Sequence, residues 1–204
     1  MLTLLSGQMD DHYFRINLDV ANSLAIDLKD YILDNPYRPN EHAIYLEDAG
    51  GIWTLNPSTL FTQEFIDYCE QELKFRLDIA QIFMRRPRYQ HPGAHIDISK
   101  DHTVHGGGIN WTLDVDDSQM VWYKYPKHEP VVTERSPTDI NWEWPLDNLE
   151  ETARTTIGTM PTLVRTDVPH TIDMGNHERW LVSLRTLDAK TWQEHCNLFK
   201  GLIN

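Results

Sequence analysis

The tripeptide His95-Ile96-Asp97 sets an imidazole and a carboxylate two positions apart. On a strand, residues i and i+2 project from one face, so both groups point together while Ile96 turns the other way. A neutral nitrogen and an anionic oxygen on a stiff element suit a borderline divalent metal. A third ligand would complete a two-histidine, one-carboxylate set that leaves three coordination positions open. His-x-Asp alone is a common tripeptide, and an exposed strand pair also accounts for it. His170 is the candidate third ligand. Residues 165–185 read as two strands joined at Gly175-Asn176. A two-residue turn there sets Met174 against His177, Ile172 against Arg179 and His170 against Leu181. His170, Ile172, Arg179, Leu181 and Ser183 then share a face, and Trp180, Val182 and Leu184 take the other. Arg179 falls diagonal to His170, about 7–8 Å away, too far to ligate the ion. Its rigid fork suits the far carboxylate of a small dicarboxylate whose other end chelates the metal, with Ser183 offering a hydroxyl. Singly, His170 passes for a core histidine and Arg179 for a strand-edge arginine. Side by side and inward they need a further reason, because an unpaired buried charge is expensive.

Other constellations are weaker. His91 and His95 have the i, i+4 spacing of a helical zinc pair, but Pro92 and Gly93 stand between them. Asp114, Asp116 and Asp117 lack the glycine and distal glutamate of a calcium loop. Gly106-Gly107-Gly108 has no following Lys-Ser/Thr and precedes a strand, so it is not a phosphate loop. There is no nucleophile elbow and no zinc-type cysteine pair. Trp142 and Trp144 either cover a substrate pocket or anchor a long loop. In the patch Arg85-Arg86-Pro87-Arg88, a solvated strand edge is favoured over steering of an anion, with Arg86 the residue that would touch substrate.

The elements that must position these residues follow from periodicity and turn chemistry. Residues 21–34 place Leu24, Leu28, Tyr31 and Ile32 at helical spacing, and residues 62–77 do the same behind a Thr62 cap. Between them, 43–46 and 52–55 read as a hairpin around Ala49-Gly50-Gly51. From residue 80, short runs rich in β-branched and aromatic residues follow one another at 80–89, 94–98, 108–115, 120–125, 162–167, 170–172 and 179–185. That rhythm predicts an antiparallel sandwich or barrel with two N-terminal helices on its outer face. Residues 126–157, with Pro126, Pro130, Pro137 and Pro145, read as a long excursion rather than a strand pair. At 204 residues the chain predicts one domain: a support region over 1–79, a β core over 80–187 and a C-terminal segment over 188–204. A formal net charge of −13 argues against a nucleic-acid partner and for a small molecule or protein. No apolar run spans a bilayer, no basic amphipathic stretch suggests a membrane surface, and two distant cysteines favour a reducing, cytoplasmic setting.

His95-x-Asp97, then His170, then Arg179 nine residues later with Ser183 beyond it, resembles the Fe(II)/2-oxoglutarate-dependent oxygenases. The likeness is to the prolyl-4-hydroxylase-like branch and the small phage- and bacterial-type dioxygenases, and it covers residues 80–187. It implies a mostly β (α+β) double-stranded β-helix, a jelly roll of cupin-like form, with N-terminal helices packed on the major sheet. It implies Fe(II) held by His95, Asp97 and His170, with 2-oxoglutarate and O2 as cosubstrates and no catalytic residue beyond the metal ligands. It also implies Arg179 on the distal carboxylate, with Arg185 as a competitor for that role, and help from Asn110 or Thr112. The expected activity is hydroxylation of a small molecule or peptidyl side chain. Two rivals stand beside it: a jelly-roll metalloenzyme with isomerase or hydrolase chemistry, and a non-catalytic jelly-roll binding or structural domain.

Overall fold

In residues 179–186 the large apolar side chains Trp180, Val182 and Leu184 alternate with Arg179, Leu181, Ser183 and Arg185. Such a sequence makes a strand with two unlike faces, and the architecture follows from giving each face its own neighbour. The computed structural model describes residues 12–34, 44–46, 50–88, 93–99, 102–114, 117–134, 139–147 and 149–203. The first part of the chain contributes strand β1 (Tyr13–Arg15), helix α1 (Leu28–Asp34), strands β2 (Ile44–Leu46) and β3 (Gly50–Leu55), and helices α2 (Pro57–Leu60) and α3 (Gln63–Asp67). Helix α3 runs on into a π-helical turn over Tyr68–Glu72. The remainder is β4 (Leu77–Arg85), β5 (Gly93–Ser99), β6 (Gly107–Thr112), β7 (Gln119–Tyr123), β8 (Val131–Glu134), β9 (Asp139–Pro145), β10 (Glu151–Thr155), β11 (Thr162–Arg165), β12 (His170–Asp173), β13 (Arg179–Thr186) and helix α4 (Trp192–Leu198).

The strands form two antiparallel sheets, a larger one ordered β1-β11-β6-β13-β4-β3-β2 and a smaller one ordered β10-β7-β12-β5-β9-β8. From β4 to β7, and again from β10 to β13, consecutive strands alternate between the sheets, so the chain winds around the space between them. The molecule is thus mostly β, with few helices. Its main core lies on the outer face of the larger sheet. There Ile82, Ile109, Trp111, Trp180, Val182 and Leu184 pack against Leu28 and Ile32 of α1, Phe65 of α3, and Trp192 and Cys196 of α4. Full burial of each such side chain is worth about 1.5–3 kcal/mol. Stability therefore resides outside the sandwich, and the inner face of β13 is left to carry polar groups. A smaller cluster of Met120, Trp122, Val164 and Leu181 joins the two inner faces.

Several local expectations are revised. The helix begins at Leu28 rather than residue 21, because the Asp27 carboxylate accepts the N–H groups of Lys29 and Asp30 and caps it there, while Leu24 bridges to Phe61. Thr62 does cap α3, accepting from the Phe65 N–H at 3.3 Å. The helical conformation ends by Leu73 and Lys74 takes φ 61°, so β4 starts at Leu77. Residues 126–157 are not a structureless excursion: β8, β9 and β10 lie within them, and β9 pairs with the whole of β5 from Gly93↔Pro145 to Ser99↔Asp139. Pro130 precedes β8 and Pro145 ends β9, so these prolines delimit strands instead of preventing them. Both cysteines are buried and unbridged. Among the described residues no helix is long and apolar enough to cross a membrane.

Candidate metal centre

Strand β5 turns Ala94, Ile96 and Ile98 into an apolar layer and sends His95 and Asp97 into the space between the sheets. Strand β12 runs antiparallel beside it with His170 directly opposite His95, and the two imidazole centroids lie 4.7 Å apart. Asp97 Oδ1 is 3.7 Å from Nε2 of His95 and 3.7 Å from Nε2 of His170. The ligand atoms of the three residues all fall within 4.8 Å of one another. Two donors each about 2.1 Å from a shared ion stand at most about 4.2 Å apart, so both carboxylate–imidazole separations already meet that condition. His170 Nδ1 sits 2.9 Å from the Val168 carbonyl, which can only accept. That contact calls for a proton on Nδ1 and leaves Nε2, which faces Asp97, as the nitrogen available to a metal.

The second carboxylate oxygen has a different partner. Asp97 Oδ2 accepts a hydrogen bond from Arg185 Nη2, reaching across from β13 of the opposite sheet. Arg185 Nη1 donates to the Gly107 carbonyl at 2.7 Å and to Thr166 Oγ1 at 3.2 Å, and Thr166 in turn donates to the His105 carbonyl at 2.7 Å. A side chain at position 108 would put its Cβ 2.9 Å from Arg185 Nη1, so glycine there opens the path the guanidinium takes. Asp97 is thus held on one oxygen and presents the other to the two histidines.

The surrounding cavity, partly open to solvent, is banded. Arg185 and Asp97 line one end. Asn110 and Ser183 follow as a cross-strand pair, then Leu181 beside Phe83, and finally Arg179 beside Arg85. Met120 and Ile172 supply apolar wall from the smaller sheet. Arg179 is 3% exposed and Ser183 2%. The Asn110 Oδ1 atom is buried on this wall with no protein hydrogen-bond partner among the described residues, a group in want of a ligand or water.

The arrangement brings most of the anticipated residues together, but by a different route. No hairpin joins β12 to β13: they belong to opposite sheets, and β13 pairs with β4 and β6. Gly175-Asn176 lies in a crossing loop, tied by the Arg88 N–H to the Gly175 carbonyl at 2.9 Å and the Asn176 N–H to Asp117 Oδ2 at 3.0 Å. His170 and Arg179 meet because both sheets face one interior. Of Asn110 and Thr112, Asn110 is on the cavity wall, whereas the Thr112 hydroxyl donates to the Asp114 carbonyl at 2.8 Å. Trp142 and Trp144 pair with Ile96 and Ala94, hence lie on the face of the smaller sheet opposite His95 and Asp97. Trp144 is buried there, its Nε1 donating to the His128 carbonyl at 3.0 Å. Arg86 is outside the cavity and pairs with Glu178 at 2.8 Å. Position 91 lies outside the described residues. Arg85 and Thr166 were not anticipated. The alternation of Phe83 and Arg85 with Ile82 and Met84 is the signal that marks Arg85 as inward. Away from the cavity, burial pushes the Cys69 thiol up to about 12, which leaves it a protonated, inert packing group.

No family model and no curated protein matches the chain. Among solved structures it is similar to the coconut allergen cocosin, at 12% identity and TM-score 0.38 over 82% of this chain and 36% of that one. It is also similar to an 11S allergen from Cocos nucifera, at 12% identity and TM-score 0.35 over 80% of this chain and 38% of that one. The chain thus covers well under half the length of either, and likenesses of that strength do not bear on function.

Proposed function

We propose that the chain is a non-haem Fe(II)- and 2-oxoglutarate-dependent dioxygenase, a hydroxylase of a small molecule or peptidyl side chain. One observation carries the reading: two imidazoles and one carboxylate oxygen converge on a point inside a cavity that also holds Arg179. The alternation of strands between the two sheets, which is the winding of a double-stranded β-helix, supports it. His95 Nε2, His170 Nε2 and Asp97 Oδ1 would hold the ion, and no fourth described residue joins them as a ligand. That donor set fits Fe(II), leaving positions for a chelating 2-oxo acid and for dioxygen. Bound iron would supply the oxidising chemistry, in which substrate, 2-oxoglutarate and O2 become hydroxylated substrate, succinate and CO2, with one atom of O2 in the new hydroxyl group and the other in the new carboxylate of succinate.

The chain's own residues bind, orient and exclude water. Arg185 keeps Asp97 from rotating, and the Val168 carbonyl keeps His170 in the ligating tautomer. Arg179 offers its fork to the distal carboxylate, while Phe83, Leu181, Met120 and Ile172 make a dry wall along the ligand's chain. The buried, unbridged cysteines support a reducing, cytoplasmic setting. The test is succinate release from 2-oxoglutarate by protein supplied with iron(II), ascorbate and oxygen, against His95→Ala and His170→Ala. We expect turnover in the wild type, uncoupled if no prime substrate is present, and none above background in either variant. Zinc- or manganese-supported activity without oxygen would replace this reading with isomerase or hydrolase chemistry, and a wild type that takes up no metal would make the chain a binding domain.

A further inference from the structure

The larger sheet sets two arginines face to face at one end of the cavity. Arg85 on β4 is the direct register partner of Arg179 on β13, and both line the cavity, as do their neighbours Phe83 and Leu181 one pleat further along. Like charges directly opposite on one sheet face repel, and the repulsion grows where the surroundings are apolar. Arg85 is nevertheless held in place. Its Nη1 donates at 3.1 Å to the Gly51 carbonyl of β3 and at 3.1 Å to the Met84 carbonyl, and its Cζ lies 5.6 Å from the Phe83 ring centroid. The close approach of β3 that supplies the Gly51 carbonyl depends on Gly50, whose φ of +112° and 2.0 Å Cβ distance to the Met84 carbonyl oxygen admit no side chain.

We propose that Arg85 is a second anion-binding residue of this cavity and that, with Arg179, it grips the terminal carboxylate of a small dicarboxylate between two guanidinium forks. One carboxylate has about four lone-pair sites, enough for two forks, and its negative charge attracts both guanidiniums. The grip selects for a full charge at the ligand's far end: a neutral or apolar terminus would forgo the charge-assisted hydrogen bonds of both forks. The identity of the dicarboxylate as 2-oxoglutarate rests on the function proposed above, whereas the two-fork grip requires only a dicarboxylate of that length.

Three probes separate these claims, titrated calorimetrically into manganese-loaded protein without oxygen: 2-oxoglutarate, glutarate (no keto group to chelate) and 2-oxobutyrate (no distal carboxylate). In Arg85→Gln we expect 2-oxoglutarate and glutarate to bind roughly 10- to 100-fold more weakly, the loss typical of one charge-assisted fork. We expect 2-oxobutyrate to stay within about 2-fold of wild type, because it never reaches the arginine pair. Arg85→Lys keeps the charge but loses the fork, and should fall between wild type and Arg85→Gln; thermal melts identify variants that do not fold, and Arg85→Lys then carries the comparison. The proposal is overturned if the folded variants bind both dicarboxylates as the wild type does, if 2-oxobutyrate weakens equally, or if the wild type binds no dicarboxylate. Glutarate binding that depends on Arg85, with no tightening when the keto group is present, keeps the two-fork grip and sinks the 2-oxoglutarate reading.

Discussion

Asp97 performs two tasks with two oxygens. Oδ1 faces the histidines at 3.7 Å from each Nε2, and Oδ2 is engaged by Arg185, itself fixed by the Gly107 carbonyl and Thr166. Without a metal, the guanidinium is the countercharge of a largely buried carboxylate. Replacing it should therefore destabilise metal-free protein more than metal-loaded protein. We expect Arg185→Met to lower the unfolding free energy of the metal-free chain by about 2 kcal/mol, a buried-pair penalty reduced for the partial exposure of Asp97. Manganese should restore part of it, since the ion then supplies the missing positive charge. Denaturant melts with EDTA and with manganese test this: an equal loss in both conditions would mean that Arg185 acts by packing alone. Much at this scale was legible in the sequence, because the pairing of His95 with Asp97 and of Arg179 with Ser183 needs only the two-residue period of a strand. Arg85 was harder to see. It heads a run of basic residues, and the run resembles a solvated edge until the alternation of 82–85 is read.

Strand β9 lies against β5 over its whole length, so the element that carries two of the three candidate ligands is a central strand, not an edge. Trp144 anchors β9 on the outer face, where it meets Tyr125 edge-on with centroids 5.6 Å apart. Trp144→Ala should cost about 3–5 kcal/mol of stability, as large buried aromatics do. The folded remainder should bind 2-oxoglutarate within about 2-fold of wild type, because Trp144 and the ligands occupy opposite faces. Chemical denaturation and ligand titration on the same sample check both halves; weakened binding with unchanged stability would put the tryptophan in contact with ligand. The same element marks where sequence reading stops. Four prolines in 126–157 suggest an excursion, yet β-strands can run between prolines. Equally, Gly175-Asn176 has the composition of a hairpin turn, yet it crosses between the sheets and is tied to Arg88 and Asp117, both far away in the chain.

Across the whole molecule, pH should act in two separate windows. His195 of α4 is buried against Gly107, and desolvation lowers its pKa below the ordinary 6.5, a shift opposed by its bond to the Thr191 carbonyl. The unfolded chain then binds the proton more readily than the folded one, so stability is full above pH 6.5 and falls as pH drops toward the depressed folded value. The carboxylate of Asp117 is held down to about 2 by the Asn176 N–H and by His177, so its contribution is present above its ordinary value of 3.8 and lost only in strong acid. In His195→Phe the first decline, between pH 6.5 and the depressed histidine value, should disappear while the strongly acid limb stays. Melting temperature against pH tests it, and an unchanged profile between pH 5 and 6.5 would count against the histidine. The larger sheet, braced by helices, and the smaller sheet, carrying the imidazoles, are joined at the cavity by the Arg185–Asp97 contact. That polar bolt sits beside the apolar seam between the two leaves, so whatever occupies the pocket also helps set how firmly the book is shut.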